Sequence, residues 1–400
     1  MDSTEYTRDQ ERKIVSIHTR VRGRRVRWRP MRLLVCVVFF AIVATGAVLF
    51  ISHQNDLSED LFADLFSRLR FSMGLEEEGE ADTFSFDDYM LSQFASFQNG
   101  LVLLSSNRLV VYGPSGAEKY GEDCVFSQPA LAVSDRTILA YDRGGFSYFL
   151  ADGHSAILKR EWDNILYTVC MNREGAFALV SAERGYASVC TVFDDRQREK
   201  YVWRSREHFI IDAALSPSAN LLALISCGQD GDRFDGRVTL LNTGNVAPLA
   251  ILELPDTLPY YVGFLDETCL FVVTENGVSF YTDEGEVLLE WPFGDRRLMA
   301  FDTGDDFLAL GLSNVQNEAD TLVLLGKEGP RARKNLSGRL LYLSAAGGYI
   351  GILTDGLACI YDNLLAPVGE PAATEATALL ARGDGTALLL GQNRSVVYKP

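Results

Sequence analysis

Between residue 82 and its end, the chain repeats one pattern eight times. An apolar strand is followed by a turn of Gly, Asp, Asn or Ser, a second and almost wholly apolar strand, another turn, a third strand, and a more polar fourth. The second strands align as GLVLLSS, RTILAYD, GAFALVSA, NLLALIS, TCLFVVT, DFLALGLS, GYIGILT and GTALLLG. They begin near Leu101, Ile138, Ala176, Leu221, Cys269, Phe307, Tyr349 and Ala387, about 36–48 residues apart, which is the length of a four-stranded propeller blade. One four-stranded sheet cannot cover both of its own faces. Each unit must therefore stack on its neighbours, and a ring closes when enough units are present. Continuous apolar second strands fit sheets covered on both sides. The fold class read from this pattern is all-β: a β-propeller over residues 82–400, with eight blades favoured and seven the close alternative. A pair of β-sandwiches is the runner-up, and the regular spacing argues against it.

Smaller signals agree. Trp162, Trp203 and Trp291 fall at matching places in fourth strands, as one repeated packing site would require. Gly116, Gly153, Gly244 and Gly285 sit between third and fourth strands, where a tight hairpin calls for positive φ. The last unit, residues 375–400, supplies three strands before the sequence ends. A short alternating piece, DTFSFDDY at residues 82–89, precedes the first full unit. Pairing the two ends would close the ring.

Charge divides the chain unevenly. Residues 1–32 hold ten Lys/Arg and four Asp/Glu, which leaves 27 basic and 50 acidic residues for the rest. The acidic balance of the larger part would repel phosphate, so nucleic acid is not an expected partner. Residues 33–52, LLVCVVFFAIVATGAVLFIS, carry no formal charge. A helix of that length spans roughly the 30 Å core of a bilayer. The Arg-rich stretch before it, RVRGRRVRWRPMR, is the positive-inside signal of an uncleaved anchor. The expected arrangement is a basic cytoplasmic tail (1–32), a transmembrane signal-anchor helix (33–53), an amphipathic helix with an acidic linker (54–81), and an extracytoplasmic propeller (82–400). In the third part Leu57, Leu61, Leu65 and Leu69 recur every four residues with Phe62 and Phe66 beside them, the period of an amphipathic helix. That stripe can pack on the domain, lie on the membrane surface or self-associate.

The order of basic tail, single anchor, short helix and degenerate propeller resembles a family of single-pass membrane-anchored proteins from clostridial Gram-positive bacteria. GVSFYTDEGEVLLEW and NLLALIS also resemble the repeat units of WD-type and quinoprotein-like propellers. In LSPSANLLALIS the usual Asp-Gly of such units is replaced by Ser218 and Ala219. The resemblance spans about residues 82–400 and implies architecture; it implies no activity.

Catalytic signatures are not found. G-x-S-x-G, H-E-x-x-H, a Walker loop and a G-x-G-x-x-G after a strand are all missing. His18, His53, His154 and His208 are scattered, and no cofactor motif is present. One weak metal signal exists: Asp230, Asp232, Asp235 and Gly236 resemble a calcium loop, but with the third Asp and the Gly each one position late. The alternative is a long polar loop between second and third strands. Apart from Cys36 in the apolar stretch, the cysteines are Cys124, Cys170, Cys190, Cys227, Cys269 and Cys359, with no CxxC pair. Cys170 and Cys190 fall on the first and third strands of one blade, about 9–10 Å apart and beyond disulfide reach. Mostly free thiols are expected.

Three function classes remain, the last a sensor that passes a signal to the Arg-rich tail. The first is a binding or scaffolding module for a protein or cell-envelope ligand, with Phe94, Tyr167, Tyr260, Tyr261 and Tyr342 as aromatic candidates near the inner strands. The alternative is a hydrolase or lyase acting on envelope polymers, with Asp302, Asp305 and Asp306 as acid–base candidates. The expected partners are the membrane and a protein or wall ligand. No catalytic, cofactor or metal residue is assigned.

Overall fold

The computed structural model of the chain describes residues 83–86, 93–114, 116–230, 233–314 and 320–400. By its internal contacts the chain divides into Met1–Glu78 and Gly79–Pro400, and the described residues all belong to the second unit. The expected tail, anchor, amphipathic helix and linker lie outside them. Among the described residues no helix is long and apolar enough to cross a membrane.

The described strands form eight antiparallel four-stranded sheets. In seven of them the strands follow one another along the chain, so that sequence neighbours are also hydrogen-bonded neighbours. The inner strands of blades 1 to 8 are Gln93–Phe97, Pro129–Val133, Leu166–Met171, Phe209–Leu215, Pro259–Asp266, Arg296–Thr303, Leu340–Ala346 and Ala378–Ala381. Blade 8 is made from both ends of the domain. Ala378–Ala381, Ala387–Leu390 and Arg394–Tyr398 come from the C-terminal end, and Thr83–Ser85 adds the outer strand. Thr83 lies opposite Val396 and Ser85 opposite Arg394. The eight-blade reading and the closure by the stretch at 82–89 are thus both seen, although the described strand covers only three of those residues.

Burial follows from the two-residue period of a strand. In Phe177–Glu183, the second strand of blade 3, Phe177 and Leu179 pack with Leu139 and Tyr148 of blade 2. Ala178 and Val180, on the other face, pack with Leu222 and Leu224 of blade 4. Each blade repeats this division, and one apolar core fills each of the eight interfaces around the ring. Within the blade 2–3 core Phe177 stacks on Phe193 with ring centroids 4.8 Å apart. The outer strands are the polar ones, as Pro248–Pro255 shows by its alternating exposure.

Several local expectations need adjustment. Trp203 and Trp291 lie in outer strands, while Trp162 stands one residue beyond Ala156–Glu161. Gly116, Gly153 and Gly285 have φ of 80, 88 and 87°. Gly244 is not in that region; its N–H is instead held by the Asn242 side chain at 2.8 Å, so an Asx turn does the work that positive φ does elsewhere.

All six cysteines of the ring are free. Cys170 lies opposite Ala178 and Cys190 opposite Val180, which puts a strand between them as expected. Burial pushes the Cys190 thiol up to about 12 and that of Cys269 up to about 11. Denatured, unreduced protein is therefore expected to show six reactive ring thiols. In native protein Cys190 and Cys269 should label slowest, since they alone of the six are fully buried from reagent. Mass-resolved alkylation reads both, and an unreactive pair in denatured protein would overturn the assignment.

Candidate binding site at the upper mouth of the ring

Every blade is entered through its inner strand, so all inner strands begin on one face, here called the upper face. The second-to-third turns share it: Cys124 and Phe126, on the way into blade 2, bond the carbonyls of Asn107 and Ser106 in such a turn. The first-to-second turns lie on the lower face and bond one another from blade to blade. Asp135 N–H donates to Arg173 O, and Asn172 Nδ2 donates to Ser216 O and Pro217 O at 3.0 Å each. Ser216 Oγ then donates to Glu267 at 2.9 Å, and Asp305 N–H to Gly347 O. One contact crosses between distant blades. Arg173 of blade 3 pairs with Asp305 of blade 6 at 3.0 Å.

The upper part of the inner strands breaks the regular pattern. Pairing with the second strand slips by one residue at Tyr167, Ile211, Tyr260, Met299 and Leu341, in blades 3 to 7. These are bulges at one repeated position. A bulge sets two residues against one and turns the extra side chain out of the ladder. An inner strand is flanked by a blade on each side, so a side chain exposed on it is reached through the central channel. Ile211, Tyr260, Met299 and Leu341 are 37, 48, 47 and 49% exposed, and Tyr167 is half-buried. Blades 8, 1 and 2 have shorter inner strands with regular pairing. The channel mouth thus carries an arc of five apolar side chains spanning blades 3 to 7.

Two residues before each bulge is the rim. There blades 3 and 4 expose Ile165 and Phe209, blade 5 has half-buried Leu258, and blades 6 and 7 expose Arg297 and Arg339. Below the bulges the channel wall is polar. Asp212 Oδ2 accepts the N–H of Val262 in the next blade at 3.5 Å. Asp302 accepts Thr303 N–H at 2.8 Å and, across to blade 7, Ala345 N–H at 2.7 Å. Ser344, at the position in blade 7 equivalent to Asp302, accepts Ala381 N–H of blade 8 at 3.1 Å. These side chains stitch inner strands together. Burial raises the carboxyls of Asp212, to about 6, and of Asp302. It also raises the Tyr261 hydroxyl, helped by the charges of Asp212 and Asp302. Tyr261 itself rests edge-on against Phe301 at 5.0 Å.

The five aromatic candidates all lie on inner strands. Tyr167 and Tyr260 are bulge residues, Tyr261 and Tyr342 directly follow one, and Phe94 sits against Tyr342 at 5.9 Å across the blade 8 seam. The three carboxylate candidates do not converge. Asp302 is in an inner strand bonded to backbone, whereas Asp305 and Asp306 lie in the lower turn, paired with Arg173 and with Arg331 at 2.7 Å. The calcium reading also fails at Asp235. That residue is in the strand Arg233–Asn242, not in a loop, and its carboxylate meets His208 Nε2 at 2.8 Å. The Asp230 side chain and Asp232 lie outside the described residues. Arg237 Nη1 stands 3.5 Å from the other ring nitrogen of His208, beside a cavity of about 220 Å³ between blades 3 and 4. Among the described residues no group of His, Cys, Asp or Glu is placed to hold a metal ion.

The profile of a family of unknown function, DUF5711, matches residues 79–363. The chain belongs to this family. The DUF5711 match runs from just before the closing strand to the third strand of blade 7. No curated protein matches the chain. Among solved structures, the C-terminal WD40 domain of Sif2 superposes with a TM-score of 0.55 at 12% identity, over 80% of this chain and 100% of its own. The Neurospora crassa Pan2 WD40 domain gives a TM-score of 0.42 at 16% identity, over 58% and 74% of the two chains. A eukaryotic initiation factor gives 0.44 at 9% identity, over 74% and 96%. The Sif2 likeness is one of fold alone: a WD40-like propeller.

Proposed function

We propose that this DUF5711 chain is a binding and scaffolding module whose ring engages a protein through its upper mouth, and that residues 33–52 anchor it in a membrane with the ring on the extracytoplasmic side. The carrying observation is the arc of apolar bulge residues. A folded ring has no structural use for four exposed apolar side chains and a half-buried fifth at one repeated position, and exposed apolar patches mark interaction sites. WD40-like propellers generally bind proteins, which supports the same reading. The anchor rests on the uncharged run at 33–52 and the Arg-rich flank before it.

A photo-crosslinking residue placed at Tyr260 or Leu341 in cells is expected to capture a discrete protein. The same residue at Leu364, exposed in a lower-face turn, should not. Protease added outside intact cells should remove the captured complex. Capture only at Leu364 would overturn the use of the mouth, and protease resistance of the ring would overturn the topology. Retention of glycan with no protein at Tyr260 would move the ligand class to the wall.

A further inference from the structure

The mouth is not uniform, and its asymmetry bears on what it takes. At the rim position two residues before the bulge, blades 3 and 4 present Ile165 and Phe209, while blades 6 and 7 present Arg297 and Arg339. Neither arginine has an ion pair among the described residues, although carboxylates elsewhere on this acidic ring are paired with cations again and again. Arg296 stands beside Arg297, and Asp295 precedes them as an acidic neighbour on the same turn. On the opposite rim Arg206 and Glu207 adjoin Phe209 and offset one another. Other charges reach this face as well: Arg143, in the upper turn of blade 2, acts on Asp212, and Asp320 accepts Leu340 N–H beside Arg339. Among the five bulged blades the rim position itself is cationic in blades 6 and 7.

We propose that the mouth receives an acidic amphipathic segment of a partner protein. Its apolar side chains lie on Ile211, Tyr260, Met299 and Leu341, and its carboxylates lie on Arg297 and Arg339. This rests on the mouth being the binding surface. The channel below sets how such a segment must sit. Asp212 and Asp302 line the wall under the bulges and bond the backbone of the next blade, so a carboxylate entering deeply would meet like charge in a poorly solvated place. Acidic groups are held at the rim, while apolar ones meet the arc. A basic segment meets the reverse: repulsion at Arg297 and Arg339 where it must cross the rim. Guanidinium groups at a partly apolar edge suit this task, since they are weakly hydrated and grip carboxylates in a planar fork.

The test is selection of a phage-displayed random peptide library on the full-length chain in detergent micelles, followed by anisotropy titration of selected synthetic peptides. Selected sequences are expected to combine aromatic or aliphatic anchors with Asp or Glu. The pair Arg297→Glu and Arg339→Glu should weaken them about tenfold or more, which is 1.4 kcal/mol or above, and raised salt should weaken them too. Arg297→Gln with Arg339→Gln should give a smaller loss. Each residue is exposed, so equal melting temperatures will show that the variants fold. Met299→Asp should abolish binding, and Leu364→Asp on the lower face should not alter it. Peptides lacking acidic bias, or indifferent to the charge-reversed pair, overturn the acidic ligand while leaving the mouth in place. Peptides indifferent to Met299→Asp, or no selectable peptide at all, overturn the mouth itself.

Discussion

A version of the domain beginning at residue 90 is expected to melt far below versions beginning at 75 or 81. The difference is the closing strand. Thr83–Ser85 covers the outer edge of Arg394–Tyr398, and Phe86 N–H donates to Asn393 O at 3.1 Å. Phe86 is 8% exposed and packs with Leu101, Val110 and Leu388 in the core joining blade 8 to blade 1. Losing a buried phenyl ring alone costs about 3–5 kcal/mol. The bared strand edge adds unpaired backbone groups and a site for edge-to-edge association. Together these are a large part of the roughly 5–15 kcal/mol that holds a domain folded. Residues 76–80 have no place in this account, so the versions starting at 75 and 81 should melt together. Thermal melting decides the matter; three coincident curves would mean that the ring closes without its N-terminal strand.

Asp212→Asn is expected to stabilise the ring above pH 7 and to change little near pH 4. Burial raises this carboxyl from 3.8 to about 6 in the folded chain. A raised folded pKa means that the folded state holds the proton more tightly than the unfolded one. The stability this gives is fully present below the unfolded value and is lost as pH rises through about 6. Each unit of difference corresponds to about 1.4 kcal/mol. The Val262 and Ala213 N–H groups and the charge of Arg143 favour the carboxylate and offset part of the burial cost, so the expected gain for the variant above pH 7 is about 1–3 kcal/mol. The amide oxygen of Asn can still accept Val262 N–H. Urea unfolding of both proteins from pH 4 to 8 gives the difference directly, free of the other carboxylates common to both. A gap that stays constant across that range would remove burial of Asp212 as the cause.

Architecture was legible from the sequence because its cause is repetitive. A strand covered on both sides must be apolar throughout, so the second strands stand out eight times. Their observed starts, at Gly100, Ile138, Phe177, Leu221, Cys269, Leu308, Tyr349 and Ala387, lie within one residue of the positions read from sequence. The closing strand was legible because three strands cannot complete a four-stranded repeat. The mouth was only half legible. Tyr167, Tyr260, Tyr261 and Tyr342 attract notice as aromatics, but Ile211, Met299 and Leu341 read as ordinary core. The available signal was a broken alternation. Leu166-Tyr167, Ile210-Ile211, Tyr260-Tyr261, Leu298-Met299 and Leu340-Leu341 are adjacent apolar pairs, where a half-buried strand should alternate. The rim arginines and the pairing of Asp305 with Arg173 depend on which turns meet in space, and nothing in local sequence records that. The same holds for Asp235, whose spacing suggested a calcium loop while the strand it occupies aims it at His208.

The ion pair between Arg173 and Asp305 has a consequence for traffic through the ring. It joins the lower turns of blades 3 and 6, which stand well apart around the circle, so it lies across the lower opening as a bar lies across a drain. The upper opening, bordered by apolar side chains, has no such bar described. Both side chains are more than half exposed, so the pair narrows the lower opening without sealing it. The two ends of the channel are thus unlike: a polar, charge-crossed exit below and an apolar lip above, so a guest with apolar side chains is held at the lip.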